Sequence, residues 1–210
     1  MKTENKTLLR SALESLQISF DEEKLEKLIA YHDLLMQQNA LYNLTGHKDE
    51  DTSLQLNLLN SLAAMTAIAS DHKEMADIGT GAGLPGIPWS ILLPETKFFL
   101  IDSKLKKANF LINVAKKLEL SNVTVLQSNV FELKRKFKTL VFQAFGKIEK
   151  VLQTIEAVQN SNGESYLFAA SVDKISLELA SRSNIQFEVT PFTIPFNADY
   201  TRAIIKISNK

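Results

Sequence analysis

Residues 77–88 read DIGTGAGLPGIP and hold four of the chain's seven glycines, directly behind an acid. Glycine is favoured where the backbone takes φ > 0 or must come very close to another group. Gly79, Gly81 and Gly83 clear side chains from one short stretch, so main-chain N–H groups there can approach a ligand. Asp102 stands nineteen residues past Gly83, at the end of the apolar run KFFLID. An acid in that place can accept both hydroxyls of a ribose. Asp77, ahead of the first glycine, is a second carboxylate within reach of the same loop.

The elements around these residues must carry them to one place. Met75–Ile78 reads as a strand and Pro85–Leu93 as the helix that follows the loop. The runs KFFLID, NVTVLQ, TLVFQAF and YLFAAS then recur between helical stretches. Leu105, Ala108, Leu111, Ile112, Ala115 and Leu118 make one helical face. Phe98–Ile101 is continuously apolar, as in a strand covered on both faces. Strand–helix–strand alternation predicts a doubly wound α/β fold with right-handed crossovers. IQFEVTPF and TRAIIKIS are both strand-like with only a loop between them, which predicts an antiparallel pair at the sheet edge. The first 70 residues read as helices. Leu25, Leu28, Ile29, Leu35 and Met36 fall on one stripe within Asp21–Asn43, and Asp21 with Glu22 and Glu23 marks its start. Leu54, Leu58, Leu59, Leu62 and Met65 give a second stripe. Between the two lies LYNLTGHKDED, a polar break. The expected organisation is a helical extension over 1–72 and an α/β domain over 73–210.

Composition narrows the chemistry. The chain of 210 residues has no cysteine, which excludes disulfides, thiolate metal sites and cysteine catalysis. With three histidines, His32 on an apolar stripe and His47 in a polar loop, no metal site is expected. Ser61 and Ser103 have no histidine partner in the pattern. The N-terminal residues are polar and no apolar run is long enough to span a membrane. Net charge is zero, from 24 basic and 24 acidic residues, so any nucleic-acid contact must come from a local patch. The candidates are Lys104, Lys106 and Lys107, then Lys116 and Lys117, then KRKFK at 134–138. Each alone reads as a solvated face. Trp89 reads as core. Phe142 and Phe145 bracket Gln143 at the end of the fourth strand, where either ring could fill a core or stack on a base.

The loop formally matches G-x-G-x-x-G, but Pro85 and Pro88 crowd the helix start, where a pyrophosphate would want free N–H groups. Asp77 can instead sit near an ammonium. Together with the closing antiparallel pair, this points to S-adenosylmethionine as the cofactor rather than a nicotinamide dinucleotide.

DIGTGAGLPGIP, NLT at 43–45, LLNSL at 58–62, LIDSKLKKANFL at 100–111 and TRAIIKI near the end resemble the RsmG (GidB) family over roughly residues 20–207. The resemblance implies a Rossmann-like methyltransferase fold, with a mostly parallel seven-stranded sheet, a C-terminal antiparallel strand and an N-terminal helical extension. It implies methyl transfer from S-adenosylmethionine to N7 of a guanosine in 16S ribosomal RNA, by a bacterial enzyme acting on the RNA or the 30S subunit; a cytoplasmic, monomeric protein is expected beside it, the lack of cysteine fitting a reducing compartment. On that resemblance Gly79, Gly81 and Leu84 would line the cofactor, with Asp77 nearby. Asp102 would hold the ribose, and Val130 and Phe131 would flank the adenine, with Glu132 a further polar contact. Gln143 falls where the family has an arginine that meets cofactor and substrate. Asn43, Asn57, Asn60 and Phe145 would face the substrate. The chain departs from the family at Gln143, at Ala169–Ser171 in place of a lysine–glycine pair, at Asn57 in place of a histidine, and at Asn60, where an acid is usual. These departures keep open a cofactor- or RNA-binding protein of the same fold. The glycine fingerprint keeps open an NAD-dependent oxidoreductase.

Overall fold

The apolar runs build the sheet. In the computed structural model, which describes residues 1–68 and 71–209, Glu74–Ile78 (β1) and Lys97–Asp102 (β2) pair in parallel, with Asp77 opposite Leu100 and Ile78 opposite Ile101. Alternate residues of β2 face opposite sides. Phe98 and Leu100 join one apolar cluster, and Phe99 and Ile101 join the other. Both faces are therefore covered, as the unbroken apolar run requires.

Helices form the N-terminal part: Thr3–Ser15 (α1), Glu22–Tyr42 (α2), Glu50–Ser53 (α3) and Asn60–Met65 (α4). Asp21 caps α2 by accepting the Lys24 N–H at 2.8 Å. At the other end Asn43 takes φ 48°. The Asn39 side chain ties down the loop beyond it, accepting the Thr45 N–H at 2.8 Å and donating to the His47 carbonyl at 2.7 Å. One feature differs from the expected stripe: Leu54–Leu59 winds as a π-helix between α3 and α4. The wider turn still buries Leu54, Leu58 and Leu59, and it buries Asn57 among them.

The remaining elements are Gly86–Leu92 (α5), Leu105–Lys117 (α6), Val123–Gln127 (β3), Phe137–Phe142 (β4), Ile148–Val158 (α7), Gln159–Ala169 (β5), Val172–Ala180 (α8), Ile185–Ile194 (β6) and Asn197–Asn209 (β7). The strand order is β3-β2-β1-β4-β5-β7-β6. The first five strands run parallel, and β7 lies antiparallel to both β5 and β6. The fold is thus the mostly parallel seven-stranded α/β sheet with an antiparallel C-terminal pair. The α1, α2 and α4 side chains share a single apolar cluster with α5 and α6. Trp89 sits in that cluster, stacked on Phe168 and donating its indole N–H to the Ser61 carbonyl at 2.7 Å. No helix among the described residues is long and apolar enough to cross a membrane.

Chain order reverses at β1. From there the chain runs outward through β2 and β3, then returns to place β4 on the other side of β1. Ligands of such sheets bind at this switch point, beyond the carboxyl ends of the strands.

Candidate active site

The glycine loop leaves β1 and folds over the end of β2. The N–H groups of Gly79 and Thr80 both donate to the Ile101 carbonyl, at 2.8 and 3.1 Å. Gly79 has φ 70°, and a Cβ there would stand 2.5 Å from the Phe145 ring. Glycine is therefore required twice over at that position. Gly86 is required for contact alone, since a Cβ would meet Leu100 and the Asp77 carboxylate. The expectation that bare loop N–H groups await a ligand needs correction. That of Gly79 is taken by β2, and that of Gly81 donates to Asp102 Oδ2 at 3.1 Å. What the loop leaves uncovered is its surface, not its donors.

Asp77 lies under the loop rather than over it. Its Oδ2 accepts the Thr80 hydroxyl at 2.7 Å and the Gly86 N–H at 3.0 Å, while its buried Oδ1 has no partner. Burial pushes this carboxyl up to about 7, and nearby Asp102 pushes in the same direction; the two hydrogen bonds offset part of the rise. Asp77 braces the turn. It is not among the residues lining the adjacent cavity. Leu84 is likewise packed into the core beneath.

That cavity, about 340 Å³, opens beside Asp102. Gly79, Val130, Phe131 and Phe145 line it together with Asp102. The Asp102 carboxylate is buried and bound on both oxygens: Oδ1 accepts the Lys104 N–H at 2.9 Å, and Oδ2 faces Lys107 Nζ at 3.5 Å. Val130 and Phe131 belong to a single 3-10 turn after β3, opened by Asn129, whose side chain accepts the Phe131 N–H at 3.2 Å. Val130 is buried, and Phe131 is exposed at the rim. The volume falls at the lower end of the ~300–1,000 Å³ common for small-ligand sites. A larger cavity, about 530 Å³, lies between α1, α4 and α5. Its lining is mainly apolar and holds no carboxylate, so it carries no comparable chemistry.

A family model described as "GidB: rRNA small subunit methyltransferase G" matches residues 24–205. The chain belongs to this family. A "Ribosomal RNA small subunit methyltransferase G" from Brachyspira hyodysenteriae is 37% identical over 80% of this chain and 82% of its own length. Another of that name, from Ectopseudomonas mendocina, is 38% identical over 68% of this chain and 67% of its own. Solved structures agree on the fold. A SAM-dependent methyltransferase from Aquifex aeolicus has a TM-score of 0.57 at 17% identity, covering 74% of this chain and 92% of its own. Aeropyrum pernix fibrillarin with natively bound S-adenosyl-L-methionine has a TM-score of 0.53 at 12% identity, over 70% and 73%.

Several family positions sit away from the cavity in this chain. Gln143 follows the last residue of β4, is half-buried, and leaves its Oε1 buried without a partner. Asn57 is buried and donates to Ser53 Oγ at 3.2 Å, and Asn60 keeps an unpartnered Oδ1. Asn43 is exposed at the end of α2. Glu132 is exposed on the same turn as Phe131. Sequence reasoning gave no cofactor role to Ser103, Lys107, Asn129, Ala144 and Lys150, which also line the cavity; Lys107 entered it only as part of a basic patch and Ser103 only as a serine without a histidine partner. Three of them immediately follow a strand or its bordering turn, a signal visible once the strand ends are known. Lys107 and Lys150 reach the cavity from helix first turns and needed the fold. Of the three basic clusters, only Lys104–Lys107 stands at this end. Arg135 of KRKFK is at the start of β4, paired to Glu74 at 2.9 Å and packed over Phe99. Lys116 and Lys117 end α6, where they complement its dipole. Among the described residues no group of three or more His, Asp or Glu side chains could hold a metal ion.

Proposed function

We propose that this chain transfers the methyl group of S-adenosylmethionine to N7 of a guanosine in 16S ribosomal RNA. Family membership supports the cofactor and the ribosomal RNA. The observation that carries the site is the cavity joining Gly79, Asp102, Val130 and Phe131 at the sheet's switch point. The residues fit an adenosyl group: a carboxylate at the end of β2 for ribose hydroxyls, an apolar Val130 and an aromatic Phe131 for a flat base, and a loop surface cleared of side chains by Gly79 and Gly81. When bound, the cofactor supplies an electrophilic methyl on a cationic sulfur. Asp102 holds the sugar, exchanging its contact with Lys107 for hydroxyl donors. Asp77 and Leu84 support the loop from beneath. Phe145, on the β4 loop beside Gly79, faces the incoming purine; Gln143, Asn43, Asn57 and Asn60 stand outside the cavity lining, where the resemblance would have them meet the RNA substrate.

Guanine N7 carries a free lone pair and no proton. The N–C bond forms as the C–S bond breaks, the electron pair stays on sulfur, and no side chain has to move a proton. The chain's task is alignment, which accounts for ~7–11 kcal/mol of such barriers. The neutral Gln143 is compatible with this, because the product base is cationic and an added positive charge would oppose it. The test is methylation of 30S subunits from a strain lacking the modification, with the methylated nucleotide mapped on the RNA. Label at guanine N7, abolished in Asp102→Ala, supports the reading. No label, with S-adenosylhomocysteine bound normally, would leave a cofactor-binding protein instead.

A further inference from the structure

Among the described residues eight large apolar or aromatic side chains are exposed. Six of them stand at the carboxyl end of the sheet: Leu41 and Tyr42 at the end of α2, Leu105 at the start of α6, Phe131 after β3, and Phe196 and Tyr200 at the β6–β7 turn. Only Ile112 and Leu177, on helix flanks, lie elsewhere. Exposed apolar surface gathered at one end marks a contact face.

Two of these aromatics carry a cation. Lys106 Nζ lies 5.2 Å from the Tyr42 ring centre, and the Arg202 guanidinium lies 5.1 Å from that of Tyr200. One pair stands at the cavity wall and the other beyond it in strand order. Lys106 is on α6, whose neighbours Lys104 and Lys107 line the cavity wall. Tyr200 and Arg202 are on β7, beyond β5. The β6–β7 turn is anchored to the π-helical segment by the Asn197 side chain, which donates to Gln55 Oε1 at 3.0 Å. Lys150 lies between, its Nζ 4.0 Å from the Phe145 ring centre.

Resting on the function proposed above, we infer that Tyr42 with Lys106, at the cavity wall, and Tyr200 with Arg202, beyond β5, form two RNA grips at the carboxyl end of the sheet. Unpaired bases stack on the rings, and the adjoining phosphates pair with the cations. Tyrosine and arginine suit RNA and protein partners alike; Lys106 favours RNA, since protein interfaces are depleted in lysine, and so does the ribosomal RNA substrate proposed above. The exposed rings favour unpaired RNA over a duplex, since only splayed bases offer a face to stack. The chain's zero net charge leaves recognition to such local pairs, and KRKFK stands at the opposite end of the sheet.

The test measures binding to 30S subunits from a strain lacking the modification, beside calorimetry with S-adenosylhomocysteine. Tyr42→Ala and Tyr200→Ala should each weaken 30S binding roughly 5- to 100-fold. Tyr42→Phe should stay close to wild type, and S-adenosylhomocysteine affinity should stay within about twofold in all. Lys106→Gln and Arg202→Gln should each lower the slope of log affinity against log salt by roughly 0.7. Unchanged 30S binding in the double variant Tyr42→Ala/Tyr200→Ala would overturn the inference. So would a wild-type salt slope in both cation variants, which would mark a ribosomal-protein contact. A wild-type chain that fails to methylate 30S subunits refutes the function itself; one that methylates while the variants bind normally refutes only the grips.

Discussion

The two ends of the sheet are built differently. At the amino end, His72 is held on both ring nitrogens, by Thr139 at 3.1 Å and Tyr166 at 3.2 Å. Tyr166 donates to Glu164, which also pairs with Lys206. Burial pushes His72 down, with Glu164 opposing, and burial with Glu164 pushes the Tyr166 hydroxyl up. This network joins the entry to β1 with β4, β5 and β7. At the carboxyl end, Asp77 and Gln143 each leave a buried oxygen without a partner, and Gly79, Gly81, Gly83, Ala144 and Gly146 all take positive φ. Buried unpaired atoms occur elsewhere too, on His32 and on Gln159 at the start of β5; what sets the carboxyl end apart is the group of positive-φ residues, four glycines and Ala144, in the two loops beside the cavity.

Substitutions at the two ends should separate binding from stability. Asp102→Ala should have the largest effect. Loss of two charge-assisted hydroxyl contacts is worth about 3–6 kcal/mol, so S-adenosylhomocysteine affinity should fall by two to four orders of magnitude in calorimetry. Wild-type affinity in that variant would end the claim that the carboxyl end is the receiving end.

Next comes Asp77→Asn. Between pH ~4 and about 7 the folded Asp77 keeps a proton that the unfolded chain has lost, so its contribution to stability falls as pH rises through that window. The full cost above pH 7 is on the order of 4 kcal/mol. The asparagine variant should therefore be more stable than wild type at pH 8 in urea unfolding, and its stability should vary less between pH 4 and 7. An equal pH slope in both proteins would show that Asp77 ionises as it does when unfolded.

Tyr166→Phe leaves His72 and Glu164 short of a partner and should cost about 1–3 kcal/mol. Turnover per folded molecule should not change. A drop in turnover at full folding would couple the two ends and erase the contrast. The smallest effect is expected for Arg135→Gln, at an exposed pair worth at most ~1 kcal/mol. Its 30S binding should match wild type, unlike that of Lys106→Gln, and weakened binding there would move the RNA face toward the amino end.

Much of this was legible beforehand. The strand runs, the glycine loop, Asp102 at a strand end and the antiparallel closing pair all follow from local pattern, because period and turn chemistry report which face a residue takes. The downward aim of Asp77 was not legible. It depends on Thr80 and Gly86 converging from three and nine residues away. The π-helical turn at Leu54–Leu59 leaves the same apolar stripe as an α-helix, so the sequence pattern could not distinguish them. Nor could spacing show which basic cluster stands at the cavity, since both α6 and β4 are flanked by lysines and only strand direction sorts them.

From the amino-acid order alone came the elements, the family, and the pair of carboxylates around a bare loop, each read from local pattern within its own short stretch of chain. Tertiary structure decided which groups meet: Lys107 with Asp102, Phe145 against Gly79, Tyr200 on the same rim as Tyr42. Lys107 and Asp102 are neighbours in the chain but on different elements, Phe145 and Gly79 are 66 residues apart, and the two tyrosines more than a hundred. These placements are set by how the sheet is wound, and no local preference records the winding.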